Sequence, residues 1–123
     1  MDPLETETSE FWKNFGPLND VDPKAIKTEV FRLPTGCFAE ETGSFTNSSR
    51  VISWKERAVD PPGESLIDIE IMARLFMKIR ALYVKEGGTL PEPVAALHWP
   101  YINPNSPTPQ EVLREISGYA VTD

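Results

Sequence analysis

At 123 residues the chain amounts to one domain at most, and its 40% apolar content, with three Trp, six Phe and three Tyr, is not a disordered composition. Nineteen acidic against twelve basic side chains leave a net charge of −7, which excludes the clustered Lys and Arg of a phosphate-backbone surface, so no nucleic-acid partner is expected. A single cysteine, Cys37, and a single histidine, His98, exclude an internal disulfide, a Cys/His zinc site and an iron–sulfur ligand set, and no transmembrane run of about 18 apolar residues or export leader is present.

Thr6, Thr8 and Ser9 can cap a short helix through Glu10 to Asn14, each hydroxyl able to take an unpaired N–H of the first turn. From Asn14 to Lys24, Gly16-Pro17, Asn19-Asp20 and Asp22-Pro23 mark a loop. Beyond it, from Ala25, Ile26, Thr28, Val30, Phe31 and Leu33 recur near period two and predict a short strand stopped by Pro34.

The run Leu33 to Arg50 concentrates the polar chemistry of the chain. Glu40 to Gly43 lies between Cys37–Ala39 and Ser44–Thr46 and predicts a tight, hairpin-like reversal, with Gly43 free to take a positive φ. Thr46, Asn47, Ser48 and Ser49, followed by Arg50, can contour around a polar ligand by donating and accepting at close range, or form an ordinary solvated loop. Val51 to Trp54 predicts a second strand, which ends through Lys55–Val59 and Asp60-Pro61-Pro62-Gly63.

Ser65 to Glu86 predicts the one long helix, about 30 Å at 1.5 Å per residue. Ile67, Ile71, Leu75, Ile79 and Leu82 recur at three and four residues and define a wide face expected to be buried as core. Ser65 or Asp68 can cap or charge the start, and Gly87-Gly88 offers a left-handed stop. Prolines then punctuate the chain, with a single turn expected from Pro93 to Trp99 and an extended stretch from Tyr101 to Pro107. His98 reads as a packed or hydrogen-bonded histidine rather than a catalytic one. Thr108-Pro109-Gln110-Glu111 is a capping box with proline at the first helical position, and Val112, Leu113 and Ile116 are the apolar side of a helix closed at Gly118.

The expected fold class is therefore mixed α/β, with two or three short strands, the long amphipathic helix and a shorter C-terminal helix, lacking a closed sheet of its own. So wide an apolar face over so few strands exposes more contiguous apolar surface than the few hundred Å² a soluble monomer usually tolerates. Twelve prolines make much of the rest extended connection, expected to lie on a partner surface.

In order, Leu33-Pro34, Cys37-Phe38-Ala39-Glu40-Glu41, Gly43 and Asn47-Ser48-Ser49-Arg50 resemble the molybdopterin-dependent oxidoreductases. The flanks DPLETETSEFWKN, IKTEVFRLPTGCFAEETGSFTNSSRVISW, VDPPGES, NSPTPQEV and ISGYA narrow the resemblance to the catalytic (major, alpha) subunit of respiratory formate dehydrogenases, over essentially the whole chain. The resemblance implies an internal piece of a molybdopterin oxidoreductase domain spanning 1–123, truncated at both ends, the apolar strand that leads into Asp2 in that family being absent and Met1 standing where its last residue would be. It implies formate oxidation to carbon dioxide at molybdenum or tungsten held by bis-molybdopterin guanine dinucleotide, with electrons passed to iron–sulfur clusters.

No metal or cluster ligand of that family falls on this stretch, and Cys37 lies outside the metal-ligand motif. The residues the resemblance assigns to the cofactor are Asp2, Glu41, Asn47, Arg50 and Asp68. Asp2, at the carboxyl end of a strand, faces the crevice where open α/β sheets bind nucleotides, or belongs to a solvated helix start. Asp68, following Pro62-Gly63-Glu64, contacts guanine or only stabilises the helix N-terminus. The implied partners are the remainder of the catalytic subunit and an iron–sulfur beta subunit, and the implied compartment is the periplasm. The alternative is a non-catalytic interaction module or an inactive gene fragment.

Overall fold

A computed structural model describes residues 1–13, 16–18 and 21–117. Two short strands, β1 (Gly43–Thr46) and β2 (Ile52–Lys55), pair antiparallel, with Gly43 opposite Lys55 and Thr46 opposite Ile52. The reversal that joins them corrects the expected one at Glu40–Gly43. Phe38–Glu40 instead forms a single 3-10 turn, closed where Glu40 Oε2 accepts from the Cys37 N–H at 2.7 Å, and Gly43 enters the ladder without a positive φ. The chain reverses at Asn47–Arg50, where the Asn47 Oδ1 accepts from the Ser49 and Val51 N–H groups at 3.0 and 3.3 Å. Arg50 takes φ 61°, so a short amide side chain supplies the turn bonds and an arginine adopts the left-handed conformation expected of glycine.

The predicted strand between Ala25 and Leu33 is also corrected. Pro23–Ala25 is a 3-10 turn whose start is capped by Asp22, and 26–33 joins no ladder. A parallel strand forms only against neighbours, and this segment meets them at its end alone. There Asp2 bridges Pro34 and Thr35 bridges Leu66, both in parallel. The bonds are Asp2 N–H to Leu33 O at 3.3 Å, Thr35 N–H to Asp2 O at 3.5 Å, Leu66 N–H to Pro34 O at 3.4 Å and Gly36 N–H to Leu66 O at 3.0 Å. Earlier in the chain, the helix expected through Glu10 to Asn14 reduces to a 3-10 turn at Thr8–Glu10. Thr6 and Ser9 clasp it reciprocally, each hydroxyl accepting from the other's N–H; Asn14 and the Asn19-Asp20 pair lie outside the described residues.

Helix α1 (Asp68–Glu86) begins after Ile67, which has no side-chain cap bond, so neither Ser65 nor Asp68 caps it, while Asp68 charges its first turn as expected. Its end follows expectation, with Gly87 at φ 74° donating its N–H to Tyr83 O at 3.0 Å. The apolar stripe departs from it: among the described residues the buried hydrophobic side chains are Ile71 and Ala73, while Met72 is 53% and Leu82 53% exposed. Helix α2 (Pro91–Ala96) overlaps the turn expected at Pro93–Trp99, starting two residues earlier, and lies against α1, its Ala95 carbonyl accepting from Arg80 Nε and Nη2 at 3.2 and 3.1 Å. Trp99 continues this contact, its ring 4.3 Å from that of Phe76, whereas His98 is exposed.

The stretch expected to be extended over Tyr101–Pro107 contains a turn instead, because Asn103 Oδ1 takes the Asn105 N–H and Asn103 O the Ser106 N–H, at 3.1 and 3.0 Å. Helix α3 (Pro109–Ser117) then starts on the predicted capping box: Glu111 Oε2 accepts from the Thr108 N–H at 2.9 Å and Thr108 Oγ1 from the Glu111 N–H at 3.2 Å. The expected stop at Gly118 lies outside the described residues.

Glu111 also accepts from the Ile102 N–H at 2.8 Å. That backbone bond first, then the Thr108 N–H and hydroxyl, hold its carboxyl below the ordinary value. Because the folded value is the lower one, this tie is fully present above the ordinary glutamate range and is lost as pH falls through the depressed folded value. Hydrogen exchange of the Ile102 and Thr108 amides is therefore expected to accelerate in that acid window beyond the intrinsic pH trend, and Glu111→Gln to remove the extra acceleration. Opposite it, burial and the Glu115 carboxylate push the Tyr101 phenol up to about 12, so it stays a donor to Glu115.

Candidate functional site

The three parallel segments lie side by side in the order Asp2, Pro34–Thr35, Leu66. A helical element follows each carboxyl end: the 3-10 turn at Thr8–Glu10, that at Phe38–Glu40, and α1 from Asp68. This places N–H-rich chain starts around one edge, the arrangement in which open parallel sheets bind nucleotides.

Asp68 is the first residue of α1 and exposed. Its Oδ1 accepts from the hydroxyl of Thr35, itself 6% exposed. Asp2, half-buried, accepts from the Leu4 N–H at 3.4 Å and from Thr6 Oγ1 at 3.3 Å. It lines a cleft of about 520 Å³ with Leu4, Ser9, Phe11 and Arg32, and an Arg32–Glu5 ion pair at 2.7 Å stands nearby.

Glu41 is held from the hairpin. The Lys55 ammonium donates to Phe38 O at 2.6 Å, to Glu41 O at 2.7 Å and to Glu41 Oε1 at 3.3 Å. These bonds tie the 3-10 turn to the end of β2 and set the Glu41 side chain. Glu41 and Asp68 share a second cleft of about 250 Å³ with Trp54, Lys55 and the apolar residues Val112 and Leu113 of α3.

The structure thus brings Glu41 and Asp68 to one cleft and links Asp2 to Asp68 through Thr35, which bonds Asp2 O by its N–H and Asp68 by its hydroxyl. It does not bring Asn47 and Arg50 to them. Both stand exposed at the hairpin tip, beyond the four ladder pairs that begin at Lys55, more than about 10 Å away at strand spacing. Asn47 there serves the turn.

Thr35 and Lys55 are the two residues sequence reasoning missed. Thr35 gives no periodic signal, being a small hydroxyl just after Pro34, and its partner is 33 positions away. Lys55 reads as a surface lysine at a strand end, because its carbonyl partners exist only once the 3-10 turn has formed. Among the described residues no group of His, Cys, Asp and Glu is arranged to hold a metal ion, and no helix is long and apolar enough to cross a membrane.

No protein-family model matches the chain. Among individual proteins it is 51% identical over all 123 residues to the formate dehydrogenase major subunit of Haemophilus influenzae. Over the same 123 residues it is 50% identical to the nitrate-inducible formate dehydrogenase major subunit of Escherichia coli. It is 44% identical over 118 residues, 96% of its length, to formate dehydrogenase 2 subunit alpha (cytochrome c-553) of Nitratidesulfovibrio vulgaris. The chain spans 12% of the length of each of the first two and 11% of the third. With identities of this size running from one end of it to the other, the chain matches, over its whole length, a 123-residue segment of formate dehydrogenase major subunits.

Proposed function

We propose that this segment forms part of the guanine dinucleotide pocket of a molybdopterin-dependent formate dehydrogenase, as an internal piece of its catalytic domain. The observation that carries the reading is Asp68, an exposed carboxylate at the carboxyl end of a parallel bridge, held by Thr35 and unused as a helix cap. Guanine presents two adjacent donors on one edge, N1–H and the exocyclic amine, and a carboxylate accepts both in one plane. The acceptor set of the site therefore fits the group. Asp2 and Glu41 add acceptors on either side, Glu41 oriented by Lys55. Asn47 and Arg50, at the hairpin tip, act as outer contacts, with the Arg50 guanidinium suited to the anionic pyrophosphate.

When bound, bis-molybdopterin guanine dinucleotide carrying molybdenum or tungsten supplies the two-electron redox chemistry of formate oxidation. The residues of this segment bind and orient its nucleotide end and hold neither the metal nor an iron–sulfur cluster. The exposed face of α1 packs on the remainder of the catalytic subunit, electrons leave toward an iron–sulfur beta subunit, and the enzyme works in the periplasm. The test is the guanine nucleotide content of a full-length major subunit carrying Asp68→Asn.

Arg50→Gly separates the outer contact from the turn. The substitution removes the guanidinium while relieving a left-handed backbone that costs a non-glycine residue about 1–2 kcal/mol. Bound guanine nucleotide is expected to fall while the thermal midpoint of the full-length subunit holds or rises. Unchanged nucleotide content would leave Arg50 as a turn residue alone.

A further inference from the structure

We infer that Thr35 is the positioning residue that presents the Asp68 carboxylate to guanine, an inference that rests on the nucleotide-pocket reading above. Thr35 is the buried polar residue among those described, 6% exposed, and its hydroxyl reaches across 33 positions of sequence to Asp68 Oδ1. The other hydroxyls near the site serve local partners, Thr6 bonding Asp2 and Thr42 bonding Glu56. The backbone of Thr35 is pinned on both sides, by its N–H to Asp2 O at 3.5 Å and by the bridge to Leu66. Its hydroxyl is therefore presented to Asp68 from a fixed backbone position.

A carboxylate at the first position of a helix is drawn toward the positive N-terminal end of that helix. In this structure Asp68 makes no cap bond, and the Thr35 hydroxyl holds one of its oxygens. An ionised carboxylate accepts at about four lone-pair sites, so the second oxygen and the remaining lone pair of the first stay open to two donors. Guanine offers two donors on that edge. Adenine offers a donor and an acceptor, and a carboxylate fixed in orientation cannot turn to avoid the acceptor. The Thr35 hydroxyl thus acts through Asp68, on both retention and choice of base.

The inference is tested in a full-length formate dehydrogenase major subunit carrying Thr35→Val, Thr35→Ser, Asp68→Asn or Thr35→Val with Asp68→Asn. The measurements are the rate at which guanine nucleotide is lost from the purified protein, counted as GMP after acid hydrolysis, and the thermal midpoint. Thr35→Val keeps the shape and removes the donor, and nucleotide loss is expected to accelerate about tenfold, the worth of one hydrogen bond to a charged group. Thr35→Ser, which keeps the hydroxyl, is expected to retain nucleotide as the parent does. The double variant is expected to lose nucleotide no faster than Asp68→Asn alone, because both changes act through one contact.

A lower thermal midpoint with unchanged nucleotide loss in Thr35→Val would make Thr35 a structural residue and overturn the inference, as would Thr35→Ser losing nucleotide as fast as Thr35→Val. Fast loss from Asp68→Asn beside an unaffected Thr35→Val would remove the role of Thr35 and leave the pocket standing. Full retention by Asp68→Asn would remove both. If Thr35→Val does not accumulate in folded form, Thr35→Ala carries the same expectation.

Discussion

Asp68→Asn, placed in a full-length major subunit, is expected to release most of the bound guanine nucleotide while leaving the fold intact. The carboxamide is nearly the same size and still accepts from the Thr35 hydroxyl through its oxygen. What changes is the second atom, where an acceptor becomes a donor facing guanine's own donors. One hydrogen bond is inverted and the other loses its charged acceptor, about 3 kcal/mol in all, or roughly a hundredfold in affinity. The folding side of the ledger is smaller. Asp68 makes no cap bond, so its contribution to α1 is the interaction of one exposed charge with the helix dipole, about 0.3–1 kcal/mol. A subunit of the relatives' size then shows a shift of its thermal midpoint of only a few degrees. The two readings of Asp68 separate cleanly: a helix-start residue lowers the midpoint and keeps the nucleotide, whereas a guanine ligand loses nucleotide at a nearly unchanged midpoint. Full nucleotide content in Asp68→Asn would refute the assignment.

The parts of this fold legible in the sequence are those set by neighbours in the chain. Thr108 and Glu111 form the capping box because a hydroxyl and a carboxylate three residues apart can satisfy each other's N–H without outside help. Gly87 ends α1 because a glycine takes a positive φ there without a Cβ penalty. The parts that escaped depend on distant partners. Ile26 to Leu33 has the alternation of a strand, yet a strand is a relation between segments, and only its end reaches Asp2 and Leu66. A reversal at Glu40–Gly43 is expected because Gly43 is the conventional carrier of a positive φ, whereas Asn47 and Arg50 build the turn from a side-chain amide and a left-handed arginine. Within the candidate site, Asp68 and Glu41 were legible through their place in the motifs, while Thr35 and Lys55 became visible only when separate segments met.

The 123-residue chain on its own is expected to melt without a sharp transition and to bind the hydrophobic dye ANS. A folded monomer of 13.8 kDa exposes about 6,600 Å² by the usual scaling of surface with mass. This chain exposes 9997 Å², about half as much again. Against an extended chain of about 20,000 Å², it buries about half of its surface where a domain of this length buries about two thirds. The deficit is apolar. Phe31 at 75%, Phe38 at 76% and Ile52 at 72% exposure belong to segments whose pattern is that of interior strands and turns, and Leu75 and Ile79 of α1 stand open at 48% and 38%. At about 25 cal/mol per Å², leaving some 3,000 Å² of mostly apolar surface in water forgoes several tens of kcal/mol of burial, several times the net stability of an ordinary domain. The local elements, β1 with β2 and α1 with α2, persist as fluctuating units rather than one cooperative whole. Circular dichroism is expected to show helix that declines gradually with temperature, with a shallow denaturant slope reflecting the small change in exposed area. A steep, reversible transition from a monomer that excludes ANS would refute this expectation.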